Sequence, residues 1–346
     1  MRPTLLLLLF ALACRDETDP VDVPEPDPAV EDTDLPEPAD GPYVDPNCLD
    51  GEPRTEAVNP QVSLDALIAT YDHPSVAYTF IPEALTLRYP FAASFVEVGV
   101  DAQVGDCIAD GSSTSDRQDV ITLLQRFPSV VKTCGRYHNL ELSGALDYHF
   151  QLDADEARVC EGGGFARLIR RNRIKTDPFH ALRPPCDGEP RDDCDAFADV
   201  YLSGSHDDLQ QTEGGLGLEV LLDDLVMYVN ALATSHAFAD QFTQAVPARD
   251  AVYTMLWYLN RYLRLARELR EPAYNGIISS ACWQEALLIT WGRAWHFLDL
   301  TADDPRLGVH DAALRTLATD PELLAEIQAI RDARGCASPA DDTDTE

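Results

Sequence analysis

The chain has 346 residues, a length that suits one large domain or two ordinary ones. Its 26 Lys and Arg residues against 60 Asp and Glu residues give a formal charge of −34, a negative field that argues against a nucleic-acid-binding protein. Hydrophobic residues make up 45% of the chain, which is ordinary for a globular protein and argues against global disorder.

The first residues have the features of a secretory signal. A short basic start, Met1-Arg2-Pro3-Thr4, precedes an unbroken apolar run from Leu5 to Ala13. This run is too short to span a bilayer, which needs about 20 residues, but it has the length of the apolar region of a signal peptide. We therefore predict a signal peptide over residues 1–13.

The segment Ala11-Leu12-Ala13-Cys14 resembles the lipobox of bacterial lipoproteins, in which the cysteine becomes the lipid-modified first residue. The position three before the cysteine is usually Leu and here is Ala11, so an ordinary signal-peptidase site is the alternative. The resemblance implies lipidation of Cys14 and the membrane as a partner. It also implies a lipid-anchored location in the cell envelope, at the periplasmic face or on the outer membrane or cell surface.

Both ends of the mature chain are acidic and poor in apolar residues. Residues 15–47 contain eight prolines and carry a net charge of −11, and residues 337–346 carry −4. Such segments cannot bury enough apolar area to offset their chain entropy. We predict a lipid-anchored, acidic, Pro-rich disordered tether over 14–47 and a disordered acidic tail over 337–346.

The C-terminal part of the body, residues 201–336, has the pattern of a helical bundle. Apolar residues recur at helical intervals in 249–271, from Leu218 to near Phe242, and in 287–298. Asp320 as N-cap, Pro321 in the first turn and Gly335 past the end delimit a last helix. Short connections at Gln244–Ala248 and Pro272–Ser280 favour antiparallel neighbours.

Residues 48–200 are less regular. Helices are predicted at Ser63–Tyr71, at Ser115–Phe127 with Ser115 as the cap, and at Gly164–Arg173, while Phe91–Val100 fits a helix or a strand. The fold class is therefore mainly α: a disulfide-stapled helical bundle with a less regular N-terminal half.

The chain has nine cysteines. If Cys14 carries lipid, eight remain for up to four disulfides in an oxidising compartment. Cys282 with Cys336, and Cys186 with Cys194, are the candidate pairs. The predicted disulfide cysteines are Cys48, Cys107, Cys134, Cys160, Cys186, Cys194, Cys282 and Cys336.

Two clusters could carry chemistry. His206, Asp208 and Glu213 are candidate metal ligands, and His206, Asp207 and His236 are candidate catalytic groups, although their spacing matches no known metal motif. The alternative is a solvated acidic loop, with His236 an ordinary hydrogen-bonded histidine of a helix that also carries Asp240.

The second cluster is basic. Gly162-Gly163-Gly164 precedes four arginines that could bind an anion by bidentate pairing: Arg167, Arg170, Arg171 and Arg173. The alternative is that these side chains pair with acidic residues of the body or face anionic lipid headgroups.

These observations favour a secreted, lipid-anchored envelope protein that acts as a binding or interaction module. An envelope protein is a further candidate partner, no cofactor is expected, and a non-enzyme is favoured over an enzyme. The alternative function is a metal-dependent hydrolase that uses the His206/Asp207 cluster.

Overall fold

The computed structural model describes residues 43–53, 56–141, 146–148, 158–160, 218–269 and 271–336. All of them belong to one compact unit, Pro38–Glu346. The described residues confirm a mainly α fold. Their helices are α1 (Asp65–Ile68), α2 (Ala77–Arg88), α3 (Pro90–Asp101), α4 (Cys107–Gly111), α5 (Val120–Gln125), α6 (Phe127–Glu141), α7 (Leu218–Ala237), α8 (Ala248–Leu269), α9 (Glu271–Ser279), α10 (Ala281–Leu300), α11 (Asp311–Ala318) and α12 (Pro321–Arg334).

Two short strands accompany these helices. Strands β1 (Leu146–Tyr148) and β2 (Arg158–Cys160) pair antiparallel, with Leu146 opposite Cys160. None of the helices in the described ranges combines the length and the apolar composition that a membrane crossing requires.

The strongest helical patterns are confirmed as α7, α8 and α10. In α8 the predicted apolar stripe is buried, because it faces α7 on one side and α11 and α12 on others. The buried stripe residues are Val252, Met255, Leu259, Tyr262 and Ala266. The predicted cap residues of α12 are also confirmed: Oδ1 of Asp320 accepts a hydrogen bond from the Glu322 amide at 2.9 Å, and Gly335 ends the helix with φ 82°.

The weaker sequence patterns predicted wrong helix boundaries. The helix predicted at Ser63–Tyr71 is only α1, and the one predicted from Ser115 begins at Val120. Its cap is Asp119, whose backbone is extended and whose Oδ2 accepts the Thr122 amide at 2.8 Å, so the helix cannot start earlier. The stretch left open at Phe91–Val100 is helical within α3, and the connection predicted at Pro272–Ser280 is the helix α9.

Small residues allow the N-terminal helices to pack closely. A Cβ atom at Gly99 of α3 would overlap the backbone of Cys134 in α6, and one at Gly111 would overlap the backbone of Val130. The disulfide Cys107–Cys134, with a Cα–Cα distance of 4.8 Å, joins α4 to α6 at this contact. Helix α6 packs in turn against α7, so the helices on either side of residues 161–217 share one hydrophobic core.

Residues 43–53 and 56–59 form an N-terminal strap that lies against α10 and α12. The ring of Tyr43 stacks on Trp295 of α10 with centroids 4.2 Å apart, and the Tyr43 carbonyl accepts from Trp291 Nε1 at 2.7 Å. On the other side, Arg331 of α12 donates to Oδ2 of Asp50 at 2.6 Å. These contacts begin at Tyr43, inside the segment that the sequence predicts as a tether.

The strap also determines the disulfide pairing at the bundle end. Cys48 pairs with Cys336, with a Cα–Cα distance of 5.2 Å, so the predicted pairing of Cys282 with Cys336 is wrong. Cys282 is disulfide-bonded as well. The sequence pattern of the last two helices could not show that a strap from far upstream returns to the end of α12.

An ion pair buried in the core fixes the far end of the strap. Arg293 of α10 donates to both carboxylate oxygens of Glu56, at 2.5 and 2.9 Å, and to the Tyr89 hydroxyl at 2.8 Å. The side chains of Arg293 and Glu56 are 1% and 2% exposed. Burial raises the pKa of Tyr89 well above its usual range, and the Glu56 carboxylate adds to the effect, so this hydroxyl stays protonated and donates to Glu56.

Glu56→Gln is expected to lower the free energy of unfolding by about 3 kcal/mol, because it leaves the Arg293 guanidinium buried without a counter-charge. Urea titration of the oxidised protein measures this loss. The exposed residue Glu52 of the same strap supplies the control, and Glu52→Gln should stay within about 0.5 kcal/mol of the wild type. Equal losses in the two variants would contradict the role of the buried pair.

Candidate functional site

Most of the predicted site residues lie outside the described residues. These are His206, Asp207, Asp208 and Glu213 of the candidate metal and catalytic cluster, and Arg167, Arg170, Arg171 and Arg173 of the candidate anion site. The cysteines Cys186 and Cys194 also lie outside them. His236 is described, and it lines a cleft.

This polar cleft has a volume of about 390 Å³ and is partly open to solvent. Such a volume lies at the small end of the range typical of sites for small molecules. The lining residues are Pro60, Gln61, Ser63, Leu64, Asp65, Ile68, Arg88, His236, Ala239, Asp240, Gln241, Asp304 and Arg306.

Four parts of the chain meet at the cleft. The strap runs into its wall, since the Asn59 amide donates to the Arg88 carbonyl at 2.7 Å and the lining begins at Pro60. Helices α2 and α7 both end there, at Arg88 and Ala237. The 3₁₀ turn Pro305–Leu307 supplies the last wall, and Arg249 holds its start by donating to the Asp304 carbonyl at 2.8 Å.

Arg88 is the central link between these parts. Its Nε donates to the Val62 carbonyl at 2.9 Å, and Nη1 donates to the Ala237 carbonyl at 3.0 Å. Nη1 and Nη2 also hold the two oxygens of Asp240, at 2.5 and 2.9 Å. Burial alone would raise the pKa of Asp240, but the hydrogen bonds from Arg88 and Gln241 outweigh it and lower that pKa. Arg88 thus joins the strap side of the cleft to the end of α7.

A second ion pair lines the opposite wall. Oδ1 of Asp304 accepts from Nε of Arg306 at 2.9 Å and from its backbone amide at 3.0 Å, and Oδ2 accepts from Nη2 at 2.7 Å. These hydrogen bonds lower the pKa of Asp304 and raise that of Arg306. Both groups are therefore charged at neutral pH.

His236 lies in the last turn of α7, half-buried between these two pairs. Burial lowers its pKa; the nearby Asp304 opposes this effect and Arg306 reinforces it. The imidazole is therefore neutral at neutral pH. No side chain among the described residues hydrogen-bonds it, which leaves a nitrogen donor and a nitrogen acceptor for a ligand.

The sequence predicted one helix that carries both His236 and Asp240, and this prediction is wrong. Helix α7 ends at Ala237, and Asp240 lies in the following 3₁₀ turn, Ala239–Gln241, where it pairs with Arg88. The two residues nevertheless line the same cleft. Sequence reasoning missed Arg88, Asp304 and Arg306, because nothing in their spacing shows that three distant chain segments converge.

The described cleft combines two arginine–carboxylate pairs with one histidine. Within the described ranges, no group of three His, Cys, Asp or Glu side chains is arranged to hold a metal ion. Asp240 and Asp304, which line the cleft with His236, are each paired with an arginine. What the cleft offers to a ligand is charge and hydrogen-bonding groups in fixed positions.

The pKa of His236 generates a testable pH dependence. Below the usual imidazole pKa of about 6.5, the unfolded chain binds a proton that the folded protein binds less readily, so the free energy of unfolding falls as the pH falls. His236→Gln should reduce this fall. Urea titrations of wild type and variant at about pH 7.5 and pH 5 measure the difference. Identical losses for the two proteins would contradict the lowered pKa.

Comparison with protein-family models, with characterised proteins and with solved structures finds no match for this chain. The geometry of the described residues and the signals in the sequence therefore carry the functional argument.

Proposed function

We propose that this protein is a lipid-anchored cell-envelope protein that acts as a binding module, with the polar cleft as its ligand site. The observation that carries the proposal is the construction of the cleft. Two arginine–carboxylate pairs fix its walls, and a neutral histidine lies between them with its nitrogens unused by the described side chains.

The rigidity of the walls supports a binding role. Ordering side chains during association costs affinity, so walls that are already held by bidentate ion pairs bind with less loss of conformational entropy. Arg88 alone ties together the strap side, the end of α7 and Asp240. The cleft is thus formed before any ligand enters.

The anchor part of the proposal rests on residues 1–14. An apolar run that ends in Ala-Leu-Ala-Cys supports export followed by lipid attachment at Cys14. The membrane is then a partner through the lipid, and the acidic segment that follows gives the body reach away from the membrane surface.

The alternative function, a metal-dependent hydrolase, depends on His206 and Asp207, which lie outside the described residues. Among the described residues, His236 is the one candidate catalytic group of that hypothesis, and two of the three carboxylates that line its cleft, those of Asp240 and Asp304, are paired with arginines. This arrangement favours the binding module.

Cys14→Ser is expected to abolish lipid attachment and to move the protein from the membrane fraction to the soluble envelope fraction, since serine cannot form the thioether. Metabolic labelling with a tagged fatty acid, followed by cell fractionation, measures both effects. Glu52→Gln is the comparison, because it changes an exposed strap residue, keeps Cys14 and should retain the label. Labelling of the Cys14→Ser variant would overturn the anchor.

Gln61→Trp tests the cleft, because Gln61 is an exposed lining residue at which a large ring would occupy the ligand volume. Thermal unfolding of the full chain is followed against sugars, amines, carboxylates and amino acids. A true ligand at one hundred times its Kd stabilises the wild type by about 2.7 kcal/mol. That shift should be absent in Gln61→Trp and present in Gln61→Ala. A panel that shifts neither protein, or shifts both equally, would overturn the cleft as the ligand site.

A further inference from the structure

We propose that the ligand of the polar cleft is a small amine that carries its positive charge on an aliphatic ammonium group. This inference rests on the proposed function, since it specifies the chemistry of the ligand that the cleft binds. It follows from the charges of the walls, from the direction in which they face and from the helix ends that meet there.

The charges of the lining do not cancel. Three carboxylates, those of Asp65, Asp240 and Asp304, stand against the two guanidinium groups of Arg88 and Arg306. Burial keeps the His236 imidazole neutral at neutral pH. The walls therefore carry one net negative charge, which a monovalent ammonium group would neutralise.

The exposed charge is negative where Arg88 pairs with Asp240. The side chain of Arg88 is 4% exposed and that of Asp240 is 46% exposed, so the guanidinium lies behind and the carboxylate faces solvent. Arg88 has already given hydrogen bonds to two carbonyls and to both oxygens of Asp240. Oδ2 of Asp240 also accepts from Gln241 Nε2 at 2.7 Å, so a ligand meets the remaining lone pair of Oδ1.

The opposite wall has the reverse order: the Arg306 side chain is 43% exposed and that of Asp304 is 18% exposed. Nε and Nη2 of Arg306 donate to the two oxygens of Asp304, so that carboxylate offsets the charge of the guanidinium. The negative charge that a ligand can reach therefore lies on Asp240 and Asp65. Asp65, by contrast, is an exposed carboxylate in the short helix α1 and forms no ion pair with another described residue.

Two helix ends lie next to the cleft. Helix α2 ends at Arg88 and helix α7 ends at Ala237, and the C-terminus of a helix carries a partial negative charge. The Ala237 carbonyl accepts from Arg88 and the Arg88 carbonyl accepts from Asn59, so the groups that remain for a ligand are the carboxylates of the lining. A protonated amine can donate up to three hydrogen bonds to such acceptors.

A matched series of five-carbon probes tests the sign of the charge. Cadaverine has two ammonium ends, 1,5-pentanediol has two hydroxyl ends and glutarate has two carboxylates. Titration calorimetry of each probe against the full chain measures its affinity. We expect cadaverine to bind at least about tenfold more tightly than pentanediol, glutarate to bind more weakly still, and added salt to weaken cadaverine binding.

Variants separate binding in the cleft from attraction to the acidic tether, which carries a net charge of −11. Gln61→Trp blocks the cleft and leaves the tether unchanged. Asp65→Asn removes a wall charge without breaking an ion pair among the described residues, and should weaken cadaverine by about threefold. Asp101→Asn removes an exposed charge at the end of α3, outside the cleft lining, and should leave the affinity unchanged.

The outcomes distinguish this inference from the proposed function. Cadaverine binding that is lost in Gln61→Trp and weakened in Asp65→Asn supports the inference. Tighter binding of glutarate or pentanediol, lost in Gln61→Trp, overturns the ammonium ligand and retains the cleft as a binding site. Cadaverine binding that survives Gln61→Trp, or no binding of any probe, overturns the inference, and the broader panel then decides whether the cleft binds another ligand.

Discussion

The buried ion pair between Glu56 and Arg293 is the interaction on which the rest of the described structure depends. Helix α10 occupies the centre of the bundle, and a guanidinium there is tolerable only if a carboxylate reaches it. The strap provides that carboxylate, and Tyr89 at the α2–α3 junction completes the cluster. The strap continues from this point to Asn59 and Pro60. The same contact that neutralises the core therefore positions one wall of the cleft.

The cleft follows the same physical rule as the core, with a different outcome. Each arginine at its walls is paired with a carboxylate, as Arg293 is, but these pairs lie at a solvent boundary. Pairing there does not remove the charges from a ligand's reach. It fixes their positions, so that the end of α7, the end of α2 and the turn at Pro305–Leu307 keep one shape. His236 lies among these fixed charges, and its burial at the end of α7 is the main reason why its pKa is lowered.

Long amphipathic patterns and cap residues were sufficient to predict α7, α8, α10 and α12, because local periodicity reports directly on a helix that buries one face. Helices α2 and α6 were missed, since Pro82 lies inside the first and the second begins at Phe127, where the helix predicted from Ser115 ends. Of the cleft, the sequence pointed only to His236 and Asp240. Its other groups come from Asp65, Arg88 and the turn at Asp304, and their meeting depends on tertiary packing that no local pattern encodes. The pairing of Cys48 with Cys336 was missed for the same reason.

The Cys48–Cys336 disulfide joins residues 288 positions apart and closes nearly all of the described chain into one covalent ring. By loop-closure entropy alone such a ring disfavours the unfolded state by about 5–6 kcal/mol. It also has a mechanical meaning. A force applied to the chain N-terminal to Tyr43 is transmitted along the strap to Cys48 first. There the disulfide transmits it to the end of α12, so it does not act on Pro60 directly. Both ends of the described chain, Tyr43 and Cys336, lie at the end of α12, and the wall of the cleft follows Cys48 along the strap.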